Sequence, residues 1–254
     1  MKVRILVNPN AGKQVVMREL HSIYRAFSGG EDKNEVVMEL TVNSAHAAEA
    51  LDRAIRSEPD ILVCCGGDGT LSATVDRLLR SGEDIRLGYI PAGTTNDFAN
   101  FLGLPKEPAE AADLITDGEA KPIDAGRFGD RHFIYVASFG AFTQTSYATT
   151  QSLKNSLGHL AYVIEGIKEL PQLKSYTVRA ETVEGGIYEG EYLFGAMSNS
   201  TSLGGIIKLA PEKVDPVDGR FELALVKTPK NLHELNSILL ALMGGQVDDE
   251  LITF

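Results

Sequence analysis

The stretch Gly66-Gly67-Asp68-Gly69-Thr70 halts an apolar run, Ile61–Cys65, and opens a segment with helical spacing from Leu71. Glycines let backbone N–H groups come close to an anion, and a helix start adds positive partial charge. Thr70 offers a hydroxyl that can cap the helix or meet a phosphate. Asp68 is the informative residue, because a carboxylate beside a phosphate repels it unless a cation or a proton transfer intervenes. A plain turn with Asp68 as an ordinary turn residue fits the same five residues. Two further stretches favour chemistry. Asn8-Pro9-Asn10-Ala11-Gly12-Lys13 and Pro91-Ala92-Gly93-Thr94-Thr95-Asn96-Asp97-Phe98 also lie between strand-like and helix-like segments. Three such loops on one sheet edge form an anion cradle, and neither the Walker nor the G-x-G-x-x-G spacing is present.

An alternation of strand and helix patterns must hold these loops. Val3–Pro9, Glu35–Val42, Ile61–Cys65 and Ile85–Pro91 read as strands. Between them, Gly12–Phe27 carries apolar residues at Val15, Val16, Leu20, Ile23 and Phe27, and Ser44–Ser57 and Leu71–Leu79 show the same helical period. Shorter helical segments follow at Asn96–Leu102 and Pro108–Thr116. This predicts an α/β N-terminal domain over residues 1–125, its parallel sheet binding ligands at the carboxyl ends of the strands. From 126 to 254 the pattern predicts a C-terminal antiparallel β-sandwich. Gly129–Asp130 and Gly185–Gly186 look like hairpin turns, and Phe221–Lys227 like a strand. Helices are predicted over Ser152–Leu170 and Leu232–Met243. Leu251–Phe254 reads as the beginning of a strand, which predicts a natural chain running past Phe254.

The chain has 254 residues, 43% hydrophobic and 23% charged, and a net charge of −11. That balance excludes nucleic-acid binding through a broad basic surface. Cys64 and Cys65 adjoin one another inside an apolar run, so they read as buried thiols in a reducing compartment, with no metal spacing. No apolar run reaches the roughly 18 residues that cross a bilayer, and the N-terminal apolar stretch is too short for a signal peptide. A cytoplasmic protein is expected.

With NPNAGK, GGDGTLS and PAGTTNDFA in this order, the sequence resembles the diacylglycerol kinase catalytic family. Sphingosine and ceramide kinases are relatives, and NAD kinases and 6-phosphofructokinases more distant ones. The likeness extends to Ile123–Phe128, Phe142–Tyr147, Ala161–Lys174, Met197–Ser200 and Ala210–Leu223, nearly the whole chain, and points toward the soluble bacterial members. It implies an ATP-dependent lipid kinase, with Mg2+, that moves the γ-phosphate to the hydroxyl of diacylglycerol to give phosphatidic acid. Its alternatives are a kinase of another lipid alcohol and a non-catalytic nucleotide- or lipid-binding homologue. The resemblance assigns Asn8, Pro9, Asn10, Ala11 and Gly12 to the nucleotide, with Thr41 near it. Gly66, Gly67, Asp68, Gly69, Thr70, Leu71 and Ser72 would carry the phosphates, Thr94 adding a hydroxyl and Asp68 acting through magnesium or the reacting hydroxyl. Asp215–Gly219 is similar to a structural metal loop, with a carboxylate from Asp218 and backbone carbonyls from Asp215 and Arg220.

Three departures stand out. Ser72 and Ala73 occupy places where the family often has Asn-Glu, and Tyr135 one where it usually has asparagine. The glutamate of a C-terminal Asp-Gly-Glu segment, which the resemblance implies as general base, has no counterpart here, so the base is expected beyond Phe254 or is lacking. Asp97 reads as the cap of a helix beginning near Phe98, the alternative being a residue that helps orient the site. Lys154, Lys168 and Lys174 form a thin basic set for transient, peripheral contact with a membrane surface bearing the lipid substrate. The assembly state is left open, a homodimer included.

Overall fold

The computed structural model describes residues 1–12, 14–29, 34–141, 174–203, 207–208, 214–242 and 250–253. The chain divides into Met1–Ile134 and Tyr135–Phe254, later than the expected boundary after residue 125.

The first unit is built on four parallel strands, β1 (Lys2–Val7), β2 (Glu35–Leu40), β3 (Ile61–Gly66) and β4 (Arg86–Pro91), in the order β2-β1-β3-β4. β3 is buried along its whole length, as an unbroken apolar run in a sheet covered on both faces should be. One face packs Val3, Ile5, Val7, Val63, Cys65 and Ile90 against Ile23, Phe27, Ala111 and Ala112. The other packs Leu6 and Leu62 against Ala50, Leu51, Ala54, Ile55 and Leu78. The order reverses between β1 and β3, so their carboxyl ends flank a topological switch point, where ligands of such sheets bind.

The single helix predicted over Gly12–Phe27 is two, α1 (Val15–Arg18) and α2 (Leu20–Ser28). At Glu19 the N–H bonds to Val16 O at 3.1 Å, a tightened three-residue turn that resets the helix axis. α3 (Ser44–Arg56) is capped by Asn43, whose side chain accepts the His46 N–H at 2.9 Å. α4 (Asp68–Ser81) begins at Asp68 rather than Leu71, because Gly67 O already accepts the N–H groups of Thr70 and Leu71. Thr70 is therefore inside the first turn and is not its cap. α5 (Asp97–Leu102) and α6 (Pro108–Asp117) follow β4.

A hairpin of β5 (Gly126–Phe128) and β6 (Arg131–Phe133) turns at Gly129–Asp130 as predicted, with Gly129 at φ 62. It is fastened to α4. Asp76 Oδ1 accepts the His132 backbone N–H at 2.8 Å and lies 3.2 Å from His132 Nδ1, while Arg80 bonds both Asp76 and the carbonyl of Asp130.

The second unit holds β7 (Val136–Gly140), β8 (Tyr176–Glu181), β9 (Ile187–Ser198), β10 (Ser202–Leu203), β11 (Ile207–Lys208), β12 (Glu222–Lys227) and β13 (Ile252–Thr253), with α7 (Leu232–Leu242) after β12. Among the described residues its antiparallel sheet runs β13-β12-β9-β7, with β8 also on β9, and β10 and β11 form a separate ribbon. β9 is long enough to serve three partners, β8 along its first part and β7 and β12 along its second. The strand read at Leu251–Phe254 is β13, pairing Val226 with Ile252 and Leu225 with Thr253. Lys13, the predicted helix Ser152–Leu170, Lys154 and Lys168, and the segments 142–147 and 210–213 lie outside the described residues. Among the described residues no helix is long and apolar enough to cross a membrane.

Candidate active site

The loops after β1, β3 and β4 touch through their glycines. A methyl group on Gly93 would stand 2.6 Å from Gly67 Cα. One on Gly12 would stand 2.6 Å from Ala92 O, and Gly12 also has φ +51, a conformation only glycine adopts freely. A methyl on Gly66 would strike Thr70 at 2.6 Å. Gly69 has nothing within 4 Å and is exposed, so its backbone is open to a ligand.

Side chains lock the same contacts. Asn8 Nδ2 donates to Thr70 Oγ1 at 3.1 Å, joining the first loop to α4, and Asn8 Oδ1 accepts the Asn10 N–H at 3.1 Å. The Asn8 N–H itself reaches Cys65 O at 2.9 Å, and the Ala92 N–H reaches Gly66 O at 2.8 Å. Thr41 is 8% exposed and bonds Val7 O through both its N–H, at 2.8 Å, and its hydroxyl, at 3.2 Å, which holds the end of β2 beside the first loop. Asn96 pins the third loop by accepting the Gly93 N–H at 2.8 Å and donating to Gly93 O at 3.0 Å. Sequence reading missed Asn96; the signal was its type, since asparagine tolerates the left-handed backbone it adopts here, φ 50.

Asp68 spans two loops. Its Oδ2 accepts the Asp97 N–H at 3.0 Å and its Oδ1 the Phe98 N–H at 3.2 Å. These are the first N–H groups of α5, which lack intrahelical partners. The cap expected from Asp97 is thus supplied by Asp68, and α5 starts at Asp97 itself with no cap from the Asn96 side chain. Each Asp68 oxygen keeps lone-pair capacity beyond its one backbone bond, so a cation or hydroxyl can still meet it. The carboxylate and the first N–H groups of α4, on Asp68 and Gly69, stand together at the mouth of the switch point.

The other assigned residues differ in exposure. Pro9 is half-buried, Asn10 exposed and Ala11 buried. Leu71 is 3% exposed, so its side chain belongs to the core, whereas Ser72 and Ala73 face solvent one turn along α4. Thr94 is exposed and lines a recess of about 300 Å3 with Asn100 and Lys106. Asp215, Asp218 and Arg220 belong to the second unit. There Asp215 Oδ1 accepts the Val217 N–H at 3.1 Å, and Asp218 Oδ1 the Arg220 N–H at 2.9 Å. Arg220 donates to Glu184 at 2.9 Å. Among the described residues Glu222 Oε2 is buried without a partner, and burial raises its carboxyl above the ordinary range, its own backbone N–H opposing this and the nearby Asp218 adding to it. Among the described residues no three acidic, histidine or cysteine side chains gather as a metal shell, so a cation at this turn would depend on backbone carbonyls. Lys174 lies with its ammonium 5.0 Å from the centre of the Tyr176 ring.

The chain thus combines a parallel sheet, three mutually locked glycine loops at its switch point, and a second unit with an antiparallel sheet. The model of the diacylglycerol kinase catalytic domain matches residues 2–128. The chain is 33% identical over 254 residues to a diacylglycerol kinase of Bacillus subtilis, covering 100% of this chain and 82% of the relative. It is 36% identical over 247 residues to a diacylglycerol kinase of Staphylococcus epidermidis, covering 96% of this chain and 76% of that one. A solved structure of a diacylglycerol kinase from Bacillus anthracis superposes with a TM-score of 0.68 at 25% identity, over 99% of this chain and 81% of that chain. The chain belongs to the diacylglycerol kinase catalytic family.

Proposed function

We propose that this protein transfers the γ-phosphate of ATP to the hydroxyl of diacylglycerol, giving phosphatidic acid. The observation that carries the reading is the Asp68 carboxylate held over a cradle of three glycine loops, in a chain of this family. Phosphoryl transfer needs a nucleotide held in line and its charge neutralised. Backbone N–H groups at Gly67–Gly69 and the Thr70 and Thr94 hydroxyls would hold the phosphates, and the loop Asn8–Gly12 and Thr41 the rest of the nucleotide. Mg2+ would supply positive charge against the phosphate oxygens, and Asp68 is the residue that would hold it or orient the acceptor hydroxyl. The turn Asp215–Arg220 would take a second, structural cation. The acceptor resides in a bilayer, so the enzyme works in peripheral, transient contact with a membrane surface.

Labelled ATP offered with a panel of lipid alcohols in mixed micelles tests the reading, wild type beside Asp68→Asn. Transfer to diacylglycerol upholds it. Transfer to another lipid alcohol alone replaces the acceptor, and transfer to none defeats the kinase reading.

A further inference from the structure

Thr41 follows β2 and sets both its N–H and its hydroxyl on Val7 O, the carbonyl just before the first loop. The next residue, Val42, is 71% exposed, so packing does not hold it. A side chain of α3 does. The Val42 N–H donates to His46 Nδ1 at 3.2 Å. A backbone N–H can only donate, so Nδ1 accepts and the ring proton sits on Nε2. Nε2 lies 3.2 Å from Glu39 Oε1, an acceptor that suits this tautomer. Glu39 is on β2, in register with Leu6, on the face that α3 covers. Arg53 of α3 donates to the same Glu39 oxygen at 2.6 Å.

α3 is capped without this ring. Asn43 is its cap, accepting the His46 N–H at 2.9 Å. In the usual capping box, the third helical residue reaches back to the N–H of the cap itself. His46 holds that third place and reaches one residue further, to an N–H outside the helix. The bond therefore orders the turn Thr41–Asn43 rather than the helix. Arg53 and Glu39 set the ring from one side, and Val7 O ties the turn to the strand that feeds Asn8.

We propose that His46 is a positioning residue for the nucleotide, its Nδ1 fixing the Thr41–Asn43 turn at the rim of the first loop. This role rests on the proposed use of ATP; the contact does not. His46→Ala removes the acceptor, and His46→Asn puts an amide oxygen as many bonds from the backbone as Nδ1. Hydrogen exchange of the Val42 amide, followed by NMR, reads the contact. Calorimetry with ATP and Mg2+, beside kinetics, reads the role. His46→Ala should exchange the Val42 amide faster and weaken ATP binding about fivefold, the worth of one hydrogen bond. KM for ATP should rise with it at unchanged kcat, and His46→Asn should return both readouts toward wild type. Unchanged Val42 exchange in His46→Ala overturns the proposal. So does a His46→Ala protein that binds ATP as tightly as wild type; a bond serving only α3 would give that result with a lowered melting temperature. A His46→Asn protein as weak as His46→Ala overturns it too. If the wild type binds no ATP while Val42 exchange still depends on His46, the contact stands, and the ATP reading falls and takes the role with it.

Discussion

Asp68 Oδ2 accepts the backbone N–H of Asp97 at 3.0 Å, so a side chain of the second loop holds the helix that follows the third. One carboxylate therefore caps a helix beside the chemical role proposed for it, and substitutions can split the two. Asp68→Ala removes the cap and should lower stability by about 1 kcal/mol, as losing a helix cap does. Asp68→Asn keeps one acceptor oxygen and should lose less. Both should lose activity, on the order of 100-fold or more, if charge at this position is what the transfer needs. Thermal melts beside micelle kinetics distinguish the cases. A fully active, less stable Asp68→Ala would leave the residue only its capping role.

The glycines divide into those that touch and one that does not. Gly93→Ala puts a methyl 2.6 Å from Gly67 Cα, a backbone atom that cannot move aside. It should destabilise by about 1–3 kcal/mol, the usual range for overpacking, and weaken nucleotide binding. Gly69→Ala meets nothing within 4 Å and lies in α4, so it should be neutral or stabilise by about 0.5–1 kcal/mol. Urea titration of the two variants provides the contrast.

Arg77 and Asp52 join α4 to α3 in a two-pronged contact, the Nη2–Oδ2 distance being 2.6 Å. The Arg77 guanidinium holds the Asp52 carboxyl below its ordinary value, with burial opposing it. The folded pKa is lower than the unfolded one, so the stabilisation is complete above the unfolded value of about 3.9 and lost as pH falls through the folded one. Both side chains are about a third or more exposed, which limits the contribution to about 0.5 kcal/mol. Asp52→Asn should therefore be less stable than wild type at neutral pH, and the gap should close below pH of about 4. A gap that persists in acid would show that packing, not charge, joins the two helices.

Cys64 and Cys65 should not react with Ellman's reagent in the native protein. Burial pushes the Cys64 thiol up to about 11 and the Cys65 thiol well above its ordinary value. Thiolate is the reactive form, so modification should appear only in denaturant. Release of the chromophore before unfolding would contradict the buried placement.

Much of the first unit was legible because its signals are local. The apolar run Ile61–Cys65 is long and unbroken, and the glycine clusters end strands where the sheet needs loops. What the sequence hid was long-range. Nothing near Asp97 says that its N–H bonds a carboxylate 29 positions earlier, and composition favoured Asp97 as its own helix cap. The break at Glu19 was hidden too, since apolar spacing through Leu20, Ile23 and Phe27 stays helical on both sides of it.

The hairpin β5–β6 has a consequence for anyone dissecting the protein. The family's sequence match ends at residue 128, at the tip of that hairpin, and the composition break falls near 125. A fragment cut at either place would strip α4 of β6, leave Asp76 without His132, and expose the flank of the helix whose first residue is Asp68. An autonomous nucleotide-handling fragment should run through Ile134, where the unit itself ends.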